Sequence, residues 1–255
     1  MFGATLATLW RSIARADPAP SEPPAEGTLS LVQVNSPAMG EPRRLTLYKP
    51  PNWQDGVRYP VIYAADGQYL PGYLRLLDKL IAQGEVPPVV AIGLWSAEGR
   101  GGPYTRSQEY LPGFKDGARR YAHFQHYFLD EVVPFAAIRL GASAVREERM
   151  LFGYSDGGSW ALTTAINNPD QFGTALALSI GWEQSGEKLS VTNRPRLFFG
   201  IGSKETTFKT VTNTIVRNAQ RSPGEVIFRT GEGGHEPKVW APMFIECVRL
   251  VFDAK

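Results

Sequence analysis

The sequence contains one cysteine, Cys247, and three histidines, His123, His126 and His235. A lone cysteine excludes an internal disulfide and any multi-cysteine zinc site, and three histidines argue against a histidine-rich metal centre. No stretch reaches the ~18 consecutive apolar residues that would cross a bilayer as a helix, so no membrane span is expected. Lys and Arg total 27 against 25 Asp and Glu, a net charge of +2. Without a cationic surplus the chain has no electrostatic reason to hold nucleic acid. What it does have is apolar material. Hydrophobic residues make up 43% of 255 and charged residues 20%, which supplies a large core and excludes a disordered chain.

Residues 1–28 read as an N-terminal segment. Residues 2–16 are mostly apolar and end in Ala14-Arg15-Ala16, which resembles an export cleavage site. Phe2, Leu6, Leu9 and Ile13 also fall near one helical face, so an amphipathic helix is the other reading and the compartment, cytoplasmic or exported, stays open. Residues 17–27 carry four prolines and no large apolar side chain, as a linker does. Residues 29–255 read as one domain. Apolar strands are expected at 29–34, 44–48, 59–65, 86–94, 150–152, 175–179, 197–201 and 225–229. Amphipathic helices are expected at 73–83, 124–135, 159–167 and 239–252. Alternation of this kind predicts an α/β fold with a mostly parallel central sheet and helices on both faces. Ligands of such sheets sit at the carboxyl ends of the strands.

One of those ends carries Gly153-Tyr154-Ser155-Asp156-Gly157. A strand-to-helix turn this tight needs small residues two positions either side of the serine, because larger ones would strike the neighbouring strand and helix. The turn lifts Ser155 Oγ above the sheet. It also aims the N–H of Asp156 and the positive end of the helix at the point where an oxyanion would form. A serine hydroxyl needs a base, and His235 suits the role: it follows strand 225–229 and a glycine-rich loop. The acid that orients the imidazole should follow strand 197–201, where Glu205 stands; Asp170 and Glu183 are alternatives. A second oxyanion donor is expected after strand 59–65, from the backbone of Gln68 or Gly67, although Asp66-Gly67 is equally an ordinary turn.

These residues belong to a longer series in order: LYKPPNW from Leu47, YPVIYAADGQ from Tyr59, RSQEYLP from Arg106, FLDEVVPF from Phe128, GYSDGG from Gly153 and GGH from Gly233. The series resembles the "Putative esterase" family of α/β-hydrolases, which includes the enterochelin (siderophore) esterases and the mycolyl transferases of the antigen 85 type. The resemblance implies the α/β-hydrolase fold, Ser155 as nucleophile, His235 as base and the Gln68 backbone as oxyanion donor. Relatives vary in how they supply the acid. The expected activity is cleavage of a small-molecule carboxylic ester through an acyl-enzyme, with no metal or organic cofactor. Siderophore esters, feruloyl or acetyl sugar esters and acyl thioesters all suit this machinery. An acyltransferase using an alcohol acceptor and a non-catalytic binding protein are the rival readings.

Weaker signals surround this core. Arg106 would hold a substrate carboxylate or phenolate, or pair locally with Glu109. Trp182, with Trp95, Tyr104, Tyr110 and Phe208, follows strand ends and would line an aryl or sugar pocket or pack loops. His123 and His126 read as ordinary helix residues rather than ligands, and Cys247 as a core residue.

Overall fold

Unbroken apolar runs build the middle of the sheet. β3 (Val61–Ala64), β4 (Val90–Leu94), β5 (Arg149–Tyr154) and β6 (Thr174–Leu178) are buried almost throughout. Parallel strands covered from both sides must read this way. The computed structural model describes residues 26–97, 102, 104–181, 189 and 191–253. In it β1 (Thr28–Ser36) and β2 (Glu41–Lys49) form a hairpin, closed by a turn in which Gly40 takes φ 66°. With β7 (Arg196–Gly202) and β8 (Val226–Gly231) they make one eight-stranded sheet of order β1-β2-β4-β3-β5-β6-β7-β8. β2 pairs antiparallel with both β1 and β4, and every other pairing is parallel. This is the expected α/β-hydrolase architecture.

The pleat divides the core in two. Val61 and Tyr63 face one cluster, Ile62 and Ala64 the other. The second face is covered by α1 (Pro71–Ala82) and α7 (Pro237–Val251). On the first face pack α2 (Thr105–Tyr110), α3 (Ala118–His126), α4 (Val133–Arg139), α5 (Asp156–Asn167) and α6 (Thr207–Gln220). α3 runs through a wider π-helical stretch, Tyr127–Val132, into α4, so the helix expected at 124–135 is longer and irregular. α2 and α6 are additions to the expected elements. α6 is rich in threonine, a poor helix former, and its buried Thr212, Ile215, Val216 and Ala219 show their helical spacing only once the sheet beneath them is known. No helix among the described residues is long and apolar enough to cross a membrane.

Candidate active site

The carboxyl ends of β3 to β8 lie on one edge of the sheet, and the loop Asp66-Gly67-Gln68, Ser155, Glu205 and His235 follow β3, β5, β7 and β8 there. Ser155 occupies the junction of β5 and α5 with φ 57° and ψ −131°, a conformation that costs a non-glycine residue on the order of 1–3 kcal/mol. The junction is pinned on both sides. Ser155 N–H donates to the Leu178 carbonyl at 2.9 Å, and its own carbonyl accepts from Ser159 N–H at 3.1 Å. The small residues are needed as expected. A Cβ on Gly153 would stand 2.1 Å from the Gly157 carbonyl oxygen, one on Gly157 2.8 Å from Ala65 Cβ, and one on Gly158 2.7 Å from the Leu178 oxygen. Gly153→Ala should therefore force backbone against backbone and destabilise by about 1–3 kcal/mol. Thermal unfolding checks this, and an unchanged midpoint would mean that the elbow yields at no cost.

Glu205 and His235 meet. His235 Nδ1 lies 2.8 Å from Glu205 Oε2, with side-chain exposures of 33% and 1%. The second carboxylate oxygen of Glu205 is occupied as well. Oε1 accepts from Ser179 Oγ at 2.6 Å and from Gly202 N–H at 2.8 Å, and Ser179 Oγ in turn accepts from Trp240 Nε1 at 2.8 Å. Sequence reasoning missed Ser179 and Trp240, which carry no motif. The imidazole stacks on Phe208, centroids 4.4 Å apart, and meets the Trp240 ring edge-on at 4.8 Å. Tyr154, one residue before Ser155, stacks on the same Trp240 at 4.4 Å, so elbow and imidazole share a wall. No hydrogen bond joins Ser155 to His235 among the described residues. Asp170 pairs instead with Asn193 on an exposed surface. Glu183 and Trp182 lie outside the described residues.

The loop after β3 is held from four directions. Asp66 takes φ 52° and is buried; its N–H donates to the Tyr110 hydroxyl at 2.9 Å. Thr46 Oγ1 donates to the Gly67 carbonyl at 2.8 Å, and the Gln68 amide donates to Ser96 Oγ at 2.8 Å. Gly67 has no room for a side chain, since its Cβ would sit 2.4 Å from the Gly93 backbone. The N–H groups of Gly67, Gln68 and Asp156 donate to no acceptor among the described residues.

Arg106 does not take the local partner expected for it. It does not pair with Glu109, which is buried against Arg43 (2.8 and 3.0 Å) and Arg120 (2.7 Å). Instead its Nε and Nη2 form a fork on Asp66, at 2.8 and 2.7 Å, and Nη1 reaches Asp156 at 3.1 Å. Ser107 Oγ adds a 2.7 Å bond to Asp156. Burial opposes the charge on Arg106, but the hydrogen bonds and charge of Asp66, helped by Asp156, outweigh it and raise the guanidinium pKa. One guanidinium thus ties together the two loops that carry these N–H groups.

The other aromatic candidates mostly pack loops. Trp95 donates to Thr46, Tyr110 is fully buried, and Tyr104 stands edge-on to Phe114. His126 pairs with Asp130 at 2.9 Å on an exposed face. Cys247 is buried beside Met150, and burial pushes its thiol pKa up.

Comparison with known proteins agrees with this geometry. Residues 36–249 match the family described as "Putative esterase". A Bacillus subtilis (strain 168) protein named Uncharacterized protein YjcH is 22% identical over 246 residues, covering 89% of this chain and 98% of its own. Among solved structures, the enterobactin esterase FES from Shigella flexneri superposes with a TM-score of 0.72 at 19% identity. The match covers 91% of this chain, which spans 60% of the length of that enzyme. An IroE-like serine hydrolase from Shewanella oneidensis gives a TM-score of 0.73 at 18% identity, over 88% of this chain and 80% of that one.

Proposed function

The chain belongs to the "Putative esterase" family, and on that premise we propose that it hydrolyses a small-molecule carboxylic ester through an acyl-enzyme on Ser155. The observation that carries this reading is the 2.8 Å contact of His235 Nδ1 with a buried Glu205, on the same sheet edge as the Ser155 elbow. Ser155 Oγ attacks the ester carbonyl while His235 Nε2 takes its proton; Glu205 accepts from Nδ1–H and stabilises the imidazolium. The tetrahedral oxyanion lies between the N–H of Asp156 and that of Gln68. The alcohol leaves with the proton held by His235. Water then gives its proton to His235 and attacks the acyl carbonyl; the acyl–Oγ bond breaks, His235 returns the proton to Ser155 Oγ and the acid is released. Serine–histidine hydrogen bonds often tighten only when substrate arrives. The enterobactin esterase and the IroE-like serine hydrolase share the fold, and their names fit the same chemistry.

Labelling with a fluorophosphonate tests the reading. One equivalent on Ser155, together with turnover of simple esters, is the expected result. A protein that resists labelling and leaves a panel of esters intact would be a binding protein on a hydrolase fold. A dominant transesterified product in the presence of an alcohol would make it an acyltransferase.

Arg106 acts here as a positioning residue, holding both oxyanion loops through Asp66 and Asp156. Arg106→Ala should lower kcat by about 10²-fold with little change in KM. Arg106→Lys should recover only part, since an ammonium cannot form the two-nitrogen fork. A rise in KM at constant kcat would assign the guanidinium to the substrate instead.

A further inference from the structure

A cavity of about 600 Å³ opens between the first turns of α1 and α7, lined by Tyr69, Gly72, Tyr73, Leu76, Tyr154 and Trp240 among others. Three of these adjoin the proposed machinery. Tyr69 follows Gln68, Tyr154 precedes Ser155, and Trp240 presses its ring against His235 at 4.8 Å. Another cavity, about 530 Å³, lies at the opposite end of the strands beside Thr174 and Arg196, where β6 and β7 begin. The groove, by contrast, is a roomy space at the reacting end of the sheet.

Its chemistry is uncharged and aromatic. Tyr73 and Tyr154 are kept neutral, because burial raises both phenol pKa values. The charged lining residue, Lys238, keeps its ammonium 3.1 Å from Glu236 with most of its side chain in solvent. Four rings line the space, and an aromatic lining favours another ring through stacking and edge contacts.

Gly72 is the independent sign that this space is used. It sits in the first turn of α1 with an ordinary φ, and a Cβ there would meet nothing within 4 Å. Neither backbone conformation nor packing calls for a glycine at this exposed first-turn position. What the missing side chain leaves open is the groove.

We propose that this groove is the subsite for an aryl-bearing half of the ester, seated against Tyr154 and Trp240 beside Ser155. The assignment rests on the serine-hydrolase reading above. The ring can belong to the acyl or to the alcohol portion, and two substrate pairs distinguish them. Methyl 3-phenylpropanoate against methyl hexanoate places it on the acyl side; 3-phenylpropyl acetate against hexyl acetate places it on the alcohol side. In one pair the aryl ester should show the higher kcat/KM by about tenfold, and Gly72→Leu, which fills open space without a clash, should erase that preference. Equal rates for ring and chain in both pairs, or a preference that survives Gly72→Leu, would overturn the assignment. A second measurement does not depend on turnover. Ser155→Ala should bind 3-phenylpropanamide saturably, read by tryptophan fluorescence, and the Ser155→Ala, Gly72→Leu double variant should bind it about tenfold more weakly. If the wild-type protein cleaves no ester, the hydrolase reading fails while this binding assay still decides the groove: saturable binding weakened by Gly72→Leu supports it, and absent or unchanged binding ends it.

Discussion

Replacing Ser155 with alanine is expected to abolish fluorophosphonate labelling and to cut ester turnover by about 10⁴- to 10⁶-fold, leaving a residue of activity from the oxyanion donors alone. His235→Ala should fall to about the same level. The double variant should be no worse than either single one, because a nucleophile and its base act as a unit. The folded state supplies the control. Alanine keeps the Cβ and hence the positive-φ strain of the elbow, so the thermal midpoint of Ser155→Ala should stay close to wild type. Ser155→Gly, which relieves that strain, should unfold at a higher temperature by an amount equivalent to about 1 kcal/mol or more. Turnover that persists in Ser155→Ala would remove the nucleophile from this position altogether.

Glu205→Gln carries the second large effect, and the hydrogen bonds around the carboxylate say why. Oε1 of Glu205 accepts from Ser179 Oγ, whose oxygen already accepts from Trp240, and from the backbone N–H of Gly202, which can only donate. A glutamine must therefore turn its carbonyl oxygen toward them and its NH₂ toward His235 Nδ1. That nitrogen then has to accept, which places the ring proton on Nε2, the atom that must take the proton of Ser155. The wrong tautomer follows from the fixed neighbours, and kcat should drop by about 10⁴-fold with little change in KM. Asp170→Asn should be close to neutral, because Asp170 pairs with Asn193 on an exposed surface remote from this network. The reverse order of effects would move the acid role away from Glu205.

The two variants probe different kinds of information. The Ser155 elbow is a local object. An apolar strand, glycines two residues either side of a serine and a helix buried almost throughout, where the sequence suggested an amphipathic one, are all within twenty residues, and steric exclusion among near neighbours leaves them few alternatives. The parallel sheet is similarly legible, because burial on both faces writes itself into runs such as 61–64 and 90–94 that contain no polar residue. α6 shows the limit of that reading, since threonines mask a helix whose face is defined only by what it covers.

The sequence alone determined the alternating architecture, the serine elbow and its place at a strand end, and the order in which His235 follows. Each of these depends on short-range sterics or on hydrophobic periodicity. Only the tertiary structure set Glu205 against His235, turned Arg106 from Glu109 to Asp66 and Asp156, and brought Ser179 and Trp240 behind Glu205. Those are contacts between segments some 26 to 61 residues apart, and charged or polar side chains that look alike along a chain differ only in what the folded sheet sets opposite them.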